Sequence, residues 1–276
     1  MMMLRPTLLA SLLFVSFSTF AQSRATVGNL PARVSQGAMV IGEAEPGSDV
    51  RVSGRKLRVD ADGRFVFGVG RDEKGPVEVS IQPAGGSGSA QTARIAITPR
   101  DWPIQRINGV PPSTVNPPPK IAERIARENA LIVAARKTDS SNTDYVQTFI
   151  WPVEGRISGR FGNQRIYNGT PKSPHSGMDI AAGTGTPIRA PAGGKITLAQ
   201  KDFYLTGGTV MIDHGHGIGS NFLHMSRLDV KAGDVVKQGD VIGAVGSTGR
   251  STGPHLHWGM SWFDTRIDPL LVLPAK

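Results

Sequence analysis

Six histidines and no cysteine limit the chemistry open to this chain. All six, His175, His214, His216, His224, His255 and His257, fall within the last 102 of its 276 residues. Without thiols, disulfide scaffolds, thiolate metal sites, cysteine nucleophiles and lipid attachment through an N-terminal cysteine are all excluded. A metal here would be held by nitrogen and oxygen. Hydrolytic zinc sites take three protein ligands, commonly His and carboxylate, and keep a fourth position for water. Such a set is present. In Pro174-His175-Ser176-Gly177-Met178-Asp179-Ile180 the His and Asp are four apart, as on one helix face, but Gly177 and the following Ile180-Ala181-Ala182 predict a turn entering a strand. In His255-Leu256-His257-Trp258 the spacing of two puts both imidazoles on one face of a strand. One can bind a metal while the other reaches a substrate atom beside it, and spacing alone leaves open which does which. His214 and His216 repeat that spacing, yet they lie with Asp213, Gly215 and Gly217 in what reads as a tight hairpin and are assigned to the turn. The glycines between Gly243 and Gly253 lack a Gly-x-x-x-x-Gly-Lys-Ser/Thr pattern, so they predict backbone turns and not a phosphate cradle.

Around these residues run His175-x-Gly177-x-Asp179-Ile180, Gly185-Thr186-Pro187-Ile188, Val210-Met211-Ile212-Asp213-His214-Gly215, Phe222-Leu223-His224-Met225 and Gly246-Ser247-Thr248-Gly249-Arg250-Ser251-Thr252-Gly253-Pro254-His255-Leu256-His257. In this order they resemble the successive motifs of the lysostaphin-type (LytM-like, M23) zinc metallopeptidases, over roughly Ile150 to Pro274. Phe161-Gly162-x-x-Arg165-x-x-Asn168-Gly169 further resembles versions from Gram-negative bacteria. The resemblance implies one zinc ion held by His175, Asp179 and His257, with His224 and His255 as non-ligand active-site histidines. It also implies an antiparallel β-sheet whose walls form a substrate groove. Two positions depart from the pattern: Phe222 stands where many members have Tyr, and Gly259 follows Trp258 where an acidic residue is common. Arg165, Tyr167 and Asn168, shortly before His175, are candidates for substrate binding.

The implied activity is zinc-dependent endopeptidase cleavage of peptide cross-links in bacterial peptidoglycan by zinc-activated water, with D-Ala–diaminopimelate as the expected bond. His224 and His255 would orient and deprotonate the water and return a proton to the leaving amine. Two other readings compete: a non-catalytic wall-binding or hydrolase-activating protein, and a secreted lytic factor cutting glycine bridges. A net charge of +9 suits an anionic cell-wall partner such as peptidoglycan, whose peptide stems carry carboxylates. Nucleic acid is not an expected partner, because aromatic residues make up only 6% and do not alternate with the dispersed basic ones.

The elements that must position these groups can be read in outline. Arg5 followed by an apolar run from Leu8 to Phe20 and Thr19-Phe20-Ala21 predicts a cleaved signal peptide over residues 1–21, and so an exported protein. The periplasm is the expected destination and secretion the alternative. The 13 apolar positions fall short of the roughly 20 a membrane span needs, so no stable anchor is expected after cleavage. From 26 to 100, short β-branched runs such as Phe65-Val66-Phe67 and Val77-Glu78-Val79-Ser80-Ile81 alternate with turn signals, resembling an immunoglobulin-like sandwich. Asp60-Ala61-Asp62-Gly63 opens like a calcium loop, but its twelfth position is Arg71 where Glu is needed, so it reads as a hairpin turn. Residues 101–148 form a Pro-rich linker with a helix over 120–137, apolar at Ile121, Ile125, Ile132 and Val133 and with Glu123 four before Arg127. That helix either packs on a neighbouring domain or lies across the groove. The peptidase domain occupies 149–276, and the whole chain is expected to be mainly β.

Overall fold

The computed structural model describes residues 27–274 except 87, 110 and 111, and the expected signal peptide lies outside the described residues. The N-terminal part contains β1 (Arg33–Ser35), β2 (Met39–Glu43), β3 (Asp49–Val52), β4 (Arg55–Leu57), β5 (Arg64–Gly68), β6 (Val77–Gln82) and β7 (Gln91–Thr98). They form a five-stranded sheet in the order β1-β7-β6-β3-β4 and a separate β2-β5 pair. The alternating pattern of β6 buries Val77, Val79 and Ile81 on one face. By contrast, Phe65, Val66 and Phe67 of β5 are all buried, because this strand also meets the C-terminal part, with Phe67 edge-on to Trp262 at 6.5 Å. The Asp60 turn is closed as a hairpin, since Asp60 Oδ1 accepts the backbone N–H groups of Asp62 and Arg64 while Arg64 Nε donates to Oδ2. Its oxygens are therefore occupied by the chain itself.

The connecting segment is more structured than a linker. It supplies β8 (Ile104–Ile107), a short α1 (Pro112–Val115) and α2 (Pro119–Arg136). Pro119 sits in the first turn of α2, where a missing N–H is not needed. Ile132 and Ala135 pack against Leu198, Phe203 and Met211. The expected Glu123–Arg127 pair is not among the ion pairs of the described residues. Instead Arg124 pairs with Glu128 at 2.6 Å, and Glu128 in turn accepts the backbone N–H of Tyr204 at 2.8 Å. One turn of side chains thus clamps the helix to the sheet beneath it.

The C-terminal part holds β9 (Arg156–Gly159), β10 (Gln164–Tyr167), β11 (Thr170–Pro171), β12 (Met178–Ala181), β13 (Pro187–Arg189), β14 (Gly194–Phe203), β15 (Gly207–Gly215), β16 (Ile218–Met225), β17 (Arg227–Leu228), β18 (Val235–Val236), β19 (Val241–Ala244), β20 (His255–Trp262) and β21 (Thr265–Ile267). The main sheet runs β18-β14-β15-β16-β20-β12-β9, with β21 added on β20. Every residue of central β15 is buried. The chain reverses from β15 into β16 through His216 at φ 52° and Gly217 at φ 80°, the positive pair a two-residue hairpin requires. β10 pairs in parallel with β8, so the connecting segment extends a second small sheet beside the main one. The apolar cluster is continuous from Val50 and Phe67 to Trp258 and Ile267.

Candidate metal centre and catalytic cleft

Strand pairing brings the distant histidines together. Asp179 on β12 stands directly opposite His257 on antiparallel β20, and His257 is flanked on its other side by Leu223 of β16. His175 lies in the loop leading into β12, where Gly177 is needed because a Cβ there would come within 2.4 Å of the Trp258 carbonyl oxygen. His224 ends the regular part of β16 at φ 64°, and this break in alternation lets both Leu223 and His224 line the cleft.

Three ligand atoms converge: His175 Nε2 and Asp179 Oδ1 are 3.0 Å apart, His257 Nδ1 and Asp179 Oδ1 2.8 Å, and His175 Nε2 and His257 Nδ1 3.0 Å. The His175 Nδ1–H donates to the Arg160 carbonyl at 2.9 Å, so in the neutral ring Nε2 presents a lone pair to the carboxylate. Lone pairs directed at one another across 3 Å are repulsive unless a cation lies among them. A buried set of two imidazole nitrogens and one carboxylate oxygen fits a zinc-type ion. Asp179 Oδ2 accepts from Arg165 Nη2 at 2.6 Å, and Arg165 Nη1 donates to the Tyr167 hydroxyl at 3.0 Å. Burial alone would raise the Asp179 carboxyl, but the His175 and His257 rings beside it outweigh that effect and hold it well below the usual carboxylate range. Burial pushes His257 down to about 3, so it is neutral, as a ligand must be.

His224 and His255 stand beside this group, their ring centroids 4.8 Å apart. His224 Nδ1–H donates to the Thr248 carbonyl and His255 Nδ1–H to the Gly253 carbonyl, each at 2.8 Å. Both Nε2 atoms are thereby left as proton acceptors, and His255 Nε2 lies 4.0 Å from Asp179 Oδ1. Burial and then the neighbouring His255 push His224 down to about 4, so it is unprotonated at neutral pH.

The cleft over these groups has two lobes, of about 830 and 290 Å³, which share Arg165, Tyr167, His224 and Arg250. The N-terminal part frames the larger lobe with Gly70 to Glu73, and Arg71 Nε donates to the Gly162 carbonyl at 2.7 Å. α2 contributes a wall through Asn129. Among the substrate-binding candidates, Arg165 and Tyr167 line both lobes, whereas Asn168 sits in the β10–β11 turn and lines neither. His214 is buried in the core, bonded to the Gly193 carbonyl and Ser220 Oγ, and His216 packs on Tyr145; neither lines a lobe. Phe222 is fully buried beside Trp258 and lines neither lobe, and a side chain at Gly259 would meet Asn221 at 2.7 Å. Sequence reasoning missed Arg71, Arg250 and Arg266 at the cleft wall. Arg250 lies over the Tyr167 ring at 4.8 Å, and its position in Thr248-Gly249-Arg250-Ser251, five residues before His255, was the available signal.

Comparison with known proteins gives a consistent picture. Residues 173–269 match the family described as Peptidase family M23. The crystal structure of a Pseudomonas aeruginosa protein assigned to peptidase M23 is similar over 88% of this chain and 96% of that one, with a TM-score of 0.68 and 32% identity. The peptidoglycan DD-endopeptidase ShyA of Vibrio cholerae is 39% identical over 111 residues, covering 39% of this chain and 26% of that protein. The DD-carboxypeptidase/endopeptidase Mpg of Neisseria meningitidis is 51% identical over 103 residues, covering 37% and 22%. The match therefore spans about a quarter of the length of these curated relatives.

Proposed function

Because the chain belongs to peptidase family M23, we propose that it is a zinc-dependent endopeptidase that hydrolyses peptide cross-links of bacterial peptidoglycan, at the D-Ala–diaminopimelate bond. The observation that carries this reading is the convergence of His175 Nε2, Asp179 Oδ1 and His257 Nδ1 within 4.8 Å of one another, with two imidazoles presenting free Nε2 atoms beside them. His175, Asp179 and His257 would hold one Zn²⁺. When bound, such an ion acts as a Lewis acid on a peptide carbonyl and lowers the pKa of water. The chain's own groups do the rest. His224 and His255, each fixed by an Nδ1–H bond to a carbonyl, accept a proton from water at Nε2 and return it to the leaving amine. Arg165 holds the Asp179 carboxylate in place from its other oxygen and, with Tyr167, faces the peptide; Asn168 stands further out as a contact for a longer substrate.

The complete ligand set speaks for catalysis over a non-catalytic wall-binding or hydrolase-activating role. The curated names of the relatives support peptidoglycan as substrate, and hence an exported, periplasmic site of action. Among the described residues no helix is long and apolar enough to cross a membrane. The division into an immunoglobulin-like unit, a connecting segment and a peptidase unit belongs to the same reading. The test is digestion of a diaminopimelate cross-linked muropeptide dimer beside a pentaglycine peptide by the zinc-loaded chain. Cleavage of the first at the D-Ala–diaminopimelate bond is expected; cleavage of pentaglycine alone would replace it with the glycine-bridge reading.

A further inference from the structure

The larger lobe of the cleft continues into a recess of about 130 Å³ under α2, walled by Asn129, Ile132 and Arg136 of the helix, Asn221 and Leu223 of β16, and Arg266 of β21. Asn129, Leu223 and Arg266 line both spaces, so the recess opens on the cleft. Two arginines, Arg136 and Arg266, line it. Arg136 Nε is shut off from solvent and has no hydrogen-bond partner. Among the described residues, neither Arg136 nor Arg266 forms an ion pair with a carboxylate; the acid that acts on both through space, Asp264, is exposed. Burial lowers Arg136, and burial followed by the like charge of Arg136 lowers Arg266 to about 10.

Two partly buried cations facing one recess, with only an exposed acid acting on them, leave an unbalanced positive field in a poorly screened place. A carboxylate is the natural complement, because a guanidinium fork donates to both of its oxygens in plane. The recess has the room of about four water molecules, enough for a carboxylate and its adjoining carbon. We propose that this recess is a carboxylate-binding subsite, in which Arg136 and Arg266 hold a free carboxylate of the bound peptide and select substrates carrying one at that distance from the scissile bond. The subsite rests on the peptidase reading above. It gives α2 a role in specificity, since half of the pair comes from a helix outside the segment that matches the family.

The test compares a cross-linked stem-peptide dimer bearing free terminal carboxylates with the same peptide amidated. Hydrolysis is followed with the zinc-loaded full chain, and binding is measured by calorimetry on the full chain after chelation, for the wild type, Arg136→Gln and Arg266→Gln. The wild type is expected to favour the carboxylate form by about 10- to 100-fold, the range of a charged hydrogen-bonded contact. Each variant should remove most of that gap, through KM and not kcat. Removing an uncompensated charge should leave the melting temperature within a few degrees of wild type; large losses in both variants would mark the pair as structural and overturn the subsite. Equal KM and equal binding for the two peptides, with cleavage intact, would also overturn it and leave the peptidase reading standing. Cleavage of neither peptide would overturn the peptidase reading, and the binding gap alone would then decide the subsite. Inhibition by sodium acetate without any difference between the peptides would assign the recess to a free anion, against the proposal.

Discussion

Two carbonyl oxygens, those of Thr248 and Gly253, decide what His224 and His255 can do, because each takes the Nδ1 proton and turns Nε2 toward the cleft. Neither ring belongs to the converging trio, so substituting either should separate metal binding from turnover. His224→Ala and His255→Ala are expected to keep one zinc per chain, measured by elemental analysis, while kcat falls by roughly 10²–10⁴-fold, the scale of a lost general acid–base group. Zinc content dropping to near zero in either variant would move that histidine into the ligand set. The local structure around these residues was legible beforehand: His255-x-His257 lies on a strand and His175 precedes the strand that carries Asp179, as read, because each relation is local. Arg136 and Arg266 were not legible. They are 130 residues apart in a pattern of no local meaning, and only the packing of α2 over the sheet brings them to one recess.

Backbone approach between elements leaves the site little slack. A Cβ on Gly159 of β9 would lie 2.5 Å from Asp179 Oδ2 and 3.1 Å from His175 Cε1. Gly159→Ala should therefore displace the carboxylate and weaken zinc binding by roughly 10- to 100-fold, as loss of an outer support does, read by competition with a chromogenic chelator. Unchanged affinity would show that β9 yields. In β15, His214 is buried with its ring bonded to Gly193 and Ser220, and burial pushes it down to about 4. The unfolded chain takes up this proton near pH 6.5 and the folded chain only near 4. Its contribution to stability is then intact above pH 6.5 and lost as pH falls toward 4, by about 3 kcal/mol in all. Urea unfolding of wild type and His214→Gln across that window should diverge by such an amount. Parallel slopes would contradict the assignment. The β15–β16 turn was readable from Asp213 to Gly217, whereas β8 was not, because Ile104-Gln105-Arg106-Ile107 is too short and too close to prolines to signal a strand without β10 beside it.

At the level of the whole molecule, the N-terminal part is bound to the C-terminal one by core as well as by charge. Gly68 abuts Ile267 and Trp262, and Arg100 Nη1 reaches the buried Asp268 Oδ2 at 2.8 Å. Arg100→Ala would leave that carboxylate without its cation and should lower the unfolding free energy by about 2–3 kcal/mol in a single urea transition. A separate early transition would show the two parts to be independent. Such contacts could not be foreseen from either segment alone, which is why Arg71 at the cleft rim escaped the sequence while His175, Asp179 and His257 did not. Their meaning depends on catalysis, and one measurement bears on it most directly: mass analysis of muropeptides after purified cross-linked sacculi are treated with the zinc-loaded full chain. Cross-linked dimers should give way to monomers, and both a chelator and His175→Ala should abolish the change. Intact dimers under wild-type protein carrying one zinc per chain would contradict it.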